Sequence, residues 1–268
     1  MKGSLVCVGT GMMLGAHISP ICQSHIEHAD VVFSLMASAI TERWLAEKNN
    51  DVRSLQSFYQ EGKNRNHSYN EMVNAIIDEV KAGKKVVAAF YGHPGVFACV
   101  AHRAIKIAHI EGFNAHMEPG ISAESCLYAD LSIDPGSYGC AHFEASQFLF
   151  YQRQIDTSAY LVLWQVGFTG DRSLTKFNTD KAYKQVLVDL LTTFYPDDHL
   201  VILYQAKVLP IETVRADKVP LNELASHKIY QHTTLVIPPT KKMLVNQVIL
   251  DKLEGLGRKS NQPKLKLV

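Results

Sequence analysis

The run Val86-Val87-Ala88-Ala89-Phe90 passes without interruption into Tyr91-Gly92-His93-Pro94-Gly95-Val96-Phe97. An apolar strand breaks there into a glycine-proline loop that feeds a helix N-terminus, so strand, loop and helix follow in direct succession. The succession recurs on both sides. Strands are expected at Ser4 to Val8, Val31 to Leu35 and Ala115 to Glu118, alternating with amphipathic helices. That alternation is the pattern of a largely parallel sheet covered by helices.

The helices carry their own signals. Ser19-Pro20 caps one that runs to about His28. Tyr69, Met72, Val73, Ile76, Ile77 and Val80 recur at helical spacing, with Ser68 and Glu71 read as a capping box and Gly83 as the stop. A further helix is expected from about Val96 to His109, ending at Gly112, and another after Pro119-Gly120 with Ser122 as its cap.

Periodicity fails at Ile133-Asp134-Pro135-Gly136-Ser137-Tyr138-Gly139, which places a domain boundary near residue 137. Residues 1–136 form the first α/β domain in this reading. Residues 137–240 form a second, α+β unit, with strands at Tyr160 to Val166, Leu200 to Gln205 and Thr233 to Ile237 and a helix at Lys181 to Phe194. Residues 241–268 hold a helix from about Val245 to Leu253 and a basic stretch, Gly257 to Lys266, read as a mobile terminus.

Composition narrows the function classes. The 268 residues are 47% hydrophobic and 20% charged, and 27 Lys plus Arg against 26 Asp plus Glu leave a net charge of +1. The bulk basic field of a nonspecific nucleic-acid binder is absent. No run of eighteen apolar residues and no cleavage pattern occur, so a soluble cytoplasmic protein is expected, with neither membrane nor nucleic acid as partner. Cys7, Cys22, Cys99, Cys126 and Cys140 lack Cys-x-x-Cys spacing, which argues against a zinc site or a disulfide framework.

Three glycine loops are candidate ligand sites. Gly9-Thr10-Gly11-Met12-Met13-Leu14-Gly15 departs from the dinucleotide fingerprint: its spacing is one residue too long, its helix starts late, and Asp30 precedes the second strand. Tyr91 to Phe97 and Pro119-Gly120-Ile121-Ser122-Ala123 both offer exposed amides at a helix start, and the two loops would lie side by side at the carboxyl edge of one sheet. Ordinary βα turns use the same residues, and His93 in such a loop shapes the backbone as readily as it catalyses.

Between Phe58 and Tyr69 lies a polar loop flanked by tyrosines. Tyr69 in a first helical turn would have its phenolate favoured by the dipole, Arg65 lies four residues before it, and Tyr91 leaves the sheet edge nearby. Such a set offers proton acceptors and donors to an oxyanion. Taken singly, Tyr69 also reads as a core residue and Arg65 as a solvated one. His25 and His28 share a helix face, but no Cys or carboxylate in the sequence neighbourhood completes a metal set. No nucleophile elbow occurs, and Ser122 is better explained as a cap.

Leu5-Val6-Cys7-Val8-Gly9-Thr10-Gly11, Tyr91 to Phe97, Glu118-Pro119-Gly120-Ile121-Ser122-Ala123 and Thr234-Leu235-Val236-Ile237-Pro238-Pro239 together resemble the tetrapyrrole methylase superfamily. The resemblance implies an S-adenosylmethionine-dependent methyltransferase of two α/β domains with the cofactor cleft between them. Tyr59, Arg65, Tyr69 and Tyr91, with Phe143 to Phe148 and Trp164-Gln165-Val166-Gly167, resemble the borosin peptide backbone α-N-methyltransferases, over roughly residues 3 to 240. Many tetrapyrrole methylases have Gly-Asp-Pro where this chain has Gly92-His93-Pro94, which weakens a porphyrinoid reading.

By that resemblance Tyr59, Arg65, Tyr69 and Tyr91 are the catalytic set, with Tyr69 as the base partnered by Arg65, although the roles of the tyrosines are exchangeable. Contacts to the cofactor are expected from Tyr91, His93, Val96, Phe97, Ser122, Ala123, Ala145, Gln165, Tyr204, Ala206, Thr233 and Thr234. No metal is expected. The founding borosin enzymes carry their substrate as a C-terminal extension, and about thirty residues follow Pro239, so a separate precursor peptide and a homodimer are the expected partners. Methylation of a tetrapyrrole or other small molecule is the nearest alternative. A catalytically silent peptide-binding scaffold is a further one.

Overall fold

The computed structural model describes residues 2–260. The first half alternates β1 (Ser4–Gly9), α1 (Pro20–Glu27), β2 (Val31–Leu35), α2 (Ala39–Ala46), β3 (Val52–Ser54), α3 (Arg65–Lys81), β4 (Lys85–Phe90), α4 (Cys99–Ile110), β5 (Asn114–Glu118) and α5 (Ala123–Leu131). Its five strands form an all-parallel sheet in the order β3-β2-β4-β1-β5. Successive side chains point to opposite faces, and both faces are covered. Leu5, Cys7, Phe33, Ala88 and Phe90 pack under Met72 and Ile76 of α3 and Val100 and Ala104 of α4. Val8, Val32, Val87 and Ala89 pack under Cys22 and Ile26 of α1 and Leu45 of α2. Each large aliphatic side chain so buried contributes about 1.5–3 kcal/mol.

After the short α6 (Pro135–Tyr138) come β6 (Cys140–Glu144), α7 (Ala145–Phe150), β7 (Tyr160–Trp164), α8 (Lys181–Leu191), β8 (Leu200–Gln205), β9 (Arg215–Pro220), β10 (Thr234–Ile237) and α9 (Gln247–Ser260). The second sheet runs β6-β7-β10-β8-β9, parallel only between β6 and β7. Leu187, Val188 and Leu191 of α8 cover one face. Val162, Trp164, Tyr204 and Val236 on the other face meet Leu127 of α5 and Ile133 behind it, which joins the two halves through a shared apolar seam. Helix α9 starts later and runs longer than the apolar pattern suggests, leaving Val248, Leu253 and Leu256 exposed. Of the basic stretch, positions from 261 onward lie outside the described residues. Among the described residues no helix is long and apolar enough to cross a membrane.

Three strands escape the hydrophobic pattern, namely β3, β6 and β9, and all three are sheet edges. An edge strand is paired on one side only and tolerates polar residues, as in Arg215-Ala-Asp-Lys-Val-Pro220, so its sequence lacks the apolar mark of a central strand.

Two helix starts are corrected. Helix α3 begins at Arg65 and not at Ser68: Asn64 caps it, its Oδ1 accepting the Asn66 amide at 2.9 Å. Ser68 lies inside the helix, where its hydroxyl donates to the Phe58 carbonyl at 2.8 Å, and Glu71 pairs with Lys63. The loop folds back on the helix and claims the residues of the supposed capping box. The Asn64 amide also donates to the Ser173 carbonyl at 2.9 Å, so Asn64→Ala should cost about 1 kcal/mol and lower Tm by about 2–4 °C in a circular-dichroism melt. Ser68→Ala should leave the N-terminus capped. Helix α4 begins at Cys99 and not at Val96, because Phe97 has φ 52 and cannot continue a right-handed helix.

Candidate active site

The site begins with topology. Chain leaving β1 passes through α1 to one face of the sheet, while chain leaving β4 passes through α4 to the other, and β1 and β4 are neighbours. The carboxyl edge at such a switch point is where doubly wound sheets bind ligands. Gly9 stands opposite Phe90, and Gly11 bridges to Gly92, whose φ of 67 favours glycine. The loop after β5 closes in from the other side: a Cβ on Gly120 would stand 2.2 Å from the Gly92 carbonyl oxygen and 2.8 Å from the Gly9 Cα. The three glycine loops therefore pack backbone on backbone.

Beside this edge three phenols gather. Tyr59 follows a short 3-10 turn, Tyr69 stands on α3, and their rings meet edge to face at 6.1 Å between centroids. Burial pushes the Tyr59 phenol well up, with Tyr69 and Tyr91 adding to it. Burial and then the Cys99 thiol push Tyr69 up, while Arg65 and Tyr59 pull it down. Tyr69 stands in the second turn of α3 and not in the first, so the helix dipole expected to favour its phenolate acts weakly there. Arg103 of α4 lies over its ring at 5.7 Å, held by Asn66 at 2.9 Å and Asn70 at 3.1 Å. Tyr91 is also pushed up by burial, yet 44% of its surface is exposed.

Arg65 is not the solvated residue that the sequence permits. Its guanidinium lies 4.4 Å over the Phe168 ring, and Nη1 donates to the Lys176 carbonyl at 2.6 Å and to Asp171 at 3.4 Å. These partners belong to the loop after β7, so Arg65 ties the two halves together. Asp171 is buried, which works against its charge. Hydrogen bonds from the Ser173 hydroxyl and the Lys176 and Ser173 amides, together with Arg65, hold its carboxyl below the ordinary range. Among the described residues nothing takes the N–H groups of Arg65 on Nε and Nη2. A guanidinium locked on one edge and unpartnered on the other is a preset donor pair. Asp171 and Phe168 had no sequence signal: they stand a hundred residues from Arg65 and reach it only through the fold.

The remaining residues named from sequence fall into two groups. Phe97 and Gln165 both adopt left-handed backbone, φ 52 and 58, which costs a non-glycine residue about 1–3 kcal/mol and clusters at ligand sites. They come from opposite halves, and Phe97 packs on Trp164 at 5.6 Å between ring centroids. Trp164 is held in turn by donating Nε1 to His142 Nδ1 at 3.1 Å, whose other ring nitrogen meets the Tyr128 hydroxyl of α5 at 2.7 Å. His93 shapes its loop, Nδ1 accepting the Gly95 amide at 2.9 Å with Val96 following, and Ser122 caps α5 beside Ala123. Thr234 is 3% exposed and its hydroxyl has no partner among the described residues. Ala145, Thr233 and Tyr204 expose 0, 0 and 1%, the Tyr204 hydroxyl being taken by Asp130 at 2.7 Å, so these three form walls behind the surface. Ala206 lines a cleft of about 640 Å³ between the start of α2 and the β8–β9 connection, together with Ser38, Lys207 and Arg215.

Two parallel-to-mixed sheets joined behind such an edge define a class. The chain matches the Tetrapyrrole (Corrin/Porphyrin) Methylases over residues 4–223 and belongs to that family. Cobalt precorrin-4 methyltransferase shares the fold, with a TM-score of 0.63 at 15% identity over 88% of this chain and 94% of that one. Among sequence relatives, a methyltransferase/ribosomally synthesized cyclic peptide gymnopeptides precursor of Gymnopus fusipes is 41% identical over 261 residues, 95% of this chain and 62% of that protein. A methyltransferase/ribosomally synthesized type I borosin cyclic peptide precursor of Coprinopsis marcescibilis is 40% identical over 94% of this chain and 66% of that protein. The chain thus spans 62% and 66% of the length of these two relatives, in which methyltransferase and precursor are one protein.

Proposed function

We propose that this chain is an S-adenosylmethionine-dependent methyltransferase acting on backbone amides of a precursor peptide. The observation that carries this reading is the convergence of Tyr59, Tyr69 and Tyr91 with an Arg65 whose outer N–H groups are free, beside the glycine-loop edge. The relatives' names, which join methyltransferase to cyclic peptide precursor, support the peptide as acceptor.

The chemistry explains why such a set is needed. An amide N–H is comparable in acidity to water, pKa ~15.7, so forming its anion at pH 7 costs about 12 kcal/mol. Arg65 Nε and Nη2 and the hydroxyls of Tyr59 and Tyr91 donate to the peptide carbonyl oxygen, where the negative charge accumulates. Tyr69 takes the proton from nitrogen. Burial and its phenol neighbours raise the Tyr59 phenol, which suits a donor; burial and Cys99 raise Tyr69 as well, and the opposing pull of Arg65 and Tyr59 supports Tyr69 as the base. Bound S-adenosylmethionine supplies the methyl group as an electrophile on positive sulfur. Left-handed Phe97 and Gln165 and the open hydroxyl of Thr234 fit such a group and would hold it, with the Gly92 and Gly120 loops closing behind.

Incubation of the chain with S-adenosylmethionine and a candidate precursor peptide tests the reading, with fragment-ion mass spectrometry locating each methyl. Methyl groups on backbone nitrogen support it. Methylation of a tetrapyrrole in place of every peptide would favour the small-molecule alternative, and cofactor uptake with no turnover would favour the silent scaffold. A pH profile tests the base. The Tyr69 phenol lies above its ordinary value near 10, so at pH 7 less than about one molecule in a thousand is ionised. A base must be unprotonated, so kcat/KM should climb about tenfold per pH unit from pH ~6 to ~9. A flat profile over that range would remove Tyr69 from this role.

A further inference from the structure

Helix α1 lays its last turn beside the outer strand of the first sheet, and two histidines and a carboxylate meet there. His116 and Glu118 occupy alternate positions of β5 and so share one face of the strand, opposite Val6 and Val8 of β1. His25 reaches them from α1, which is seated by buried Cys22 and Ile26 and touches the chain just past Glu118, where Cys22 Sγ meets the Pro119 carbonyl at 3.5 Å. Sequence spacing suggests His25 and His28 as a pair and leaves the set incomplete. The fold breaks that pair, since the His28 ring bonds back to the Ser24 carbonyl at 2.8 Å, and gives His25 two partners from 91 and 93 residues further along.

We propose that His25, His116 and Glu118 form a binding site for one borderline divalent cation of the zinc class, with its fourth position open to solvent. The geometry is that of a ligand set at rest. One ligand atom from each residue can be chosen so that all lie within 4.8 Å of one another. His116 Nε2 stands 3.3 Å and His25 Nε2 4.0 Å from the same oxygen, Glu118 Oε1. Bonds of ~2.0–2.1 Å around a tetrahedral zinc put its ligand atoms ~3.3 Å apart, so the His116–Glu118 spacing is already met, the His25–Glu118 spacing closes by less than an ångström, and the two imidazole nitrogens, within 4.8 Å, close by no more than about 1.5 Å.

Hydrogen bonding does not explain the cluster. Both imidazoles turn Nε2 to one carboxylate oxygen, at ion-pairing distance when the rings are protonated, and no hydrogen bond joins any two of the three residues among the described residues. The rings meet at 69° with centroids 5.7 Å apart, so they approach from different directions and do not stack. Donor chemistry selects the metal. Two imidazole nitrogens and one carboxylate suit zinc, cobalt or nickel, whereas calcium and magnesium favour all-oxygen sets. Side-chain exposures of 31% for His25, 53% for His116 and 20% for Glu118 leave a path for the ion and room for a water ligand. None of the three belongs to the tyrosine and arginine set. Glu118 does lead into Pro119-Gly120, so an ion here would fasten α1 to the strand end that carries the Gly120 loop.

The test uses the untagged full chain, stripped with chelator and titrated with cobalt and zinc. One zinc per chain should survive gel filtration. Cobalt should give the intense visible bands of a four-coordinate site, without sulfur charge transfer, and zinc should abolish them. His116→Asn and His25→Gln should each weaken zinc binding at least about tenfold while the metal-free melt stays unchanged. Should either variant misfold, the native chain still decides. Zinc should slow deuterium exchange at the ring carbon of His25 and His116 and leave His67 and His227 unaffected. Zero bound zinc, a zinc retained by both variants, or protection at other histidines would overturn the proposal.

Discussion

Tyr69→Phe is expected to leave uptake of S-adenosylmethionine nearly unchanged and to slow peptide methylation about 10²–10⁴-fold, the range a positioned general base supplies. The substitution removes one oxygen from a ring that packs edge to face on Tyr59 and lies under Arg103, and it keeps both ring contacts. Stability should therefore change little, and a loss of turnover reports on the hydroxyl alone. Calorimetry with the cofactor and mass spectrometry of the peptide, made on one preparation, separate the two effects. Turnover at the native rate would remove Tyr69 from the mechanism. Arg65→Ala is a poorer probe, because it strands the Asp171 carboxylate, whose side chain is 1% exposed, and breaking such a buried pair costs about 3–5 kcal/mol. Arg65→Lys keeps a charge for Asp171 but not the outer fork, and should cost about 10²–10³ in kcat.

Gly120→Ala should produce a large loss of stability. The new Cβ would meet the Gly92 carbonyl oxygen at 2.2 Å and the Gly9 Cα and C at 2.8 and 2.9 Å. All are backbone atoms, and Gly9 is pinned by pairing with β4, so nothing flexible can give way. The loops must spread at a cost of about 3 kcal/mol or more, a fall of about 6–12 °C in Tm. Cofactor affinity should fall with it, since the same loops form the carboxyl edge. Gly255→Ala, whose Cβ meets nothing within 4 Å, is the matched control. A Gly120→Ala chain that melts with the native one would show that the three loops are not in contact.

Much of the fold was readable in the chain because its signals are local. The strand at Val86 to Phe90 is apolar at every position, and Ser19-Pro20 and Ser122 cap helices within three residues of themselves. Reading failed where a distant residue competed. Ser68 and Glu71 have the spacing of a capping box, but the returning loop gives Ser68 to Phe58 and Glu71 to Lys63, and Asn64 takes the cap. The edge strands β3, β6 and β9 failed for a related reason, being defined by a neighbour more than by their own residues.

The sequence by itself determined the parallel sheet and the glycine loops, since periodicity and turn residues are properties of neighbouring positions, while the tyrosine and arginine set came from a family resemblance. The tertiary structure alone decided what those residues face. It turned Arg65 from a solvated side chain into a clamp on Asp171 and Phe168, and it set burial and Cys99, which raise the Tyr69 phenol, against Arg65 and Tyr59, which lower it. It also replaced His28 by His116 and Glu118 as partners of His25. Electrostatic environment and ligand geometry depend on distances of a few ångströms between residues far apart in the chain, and only the packed sheets set those distances.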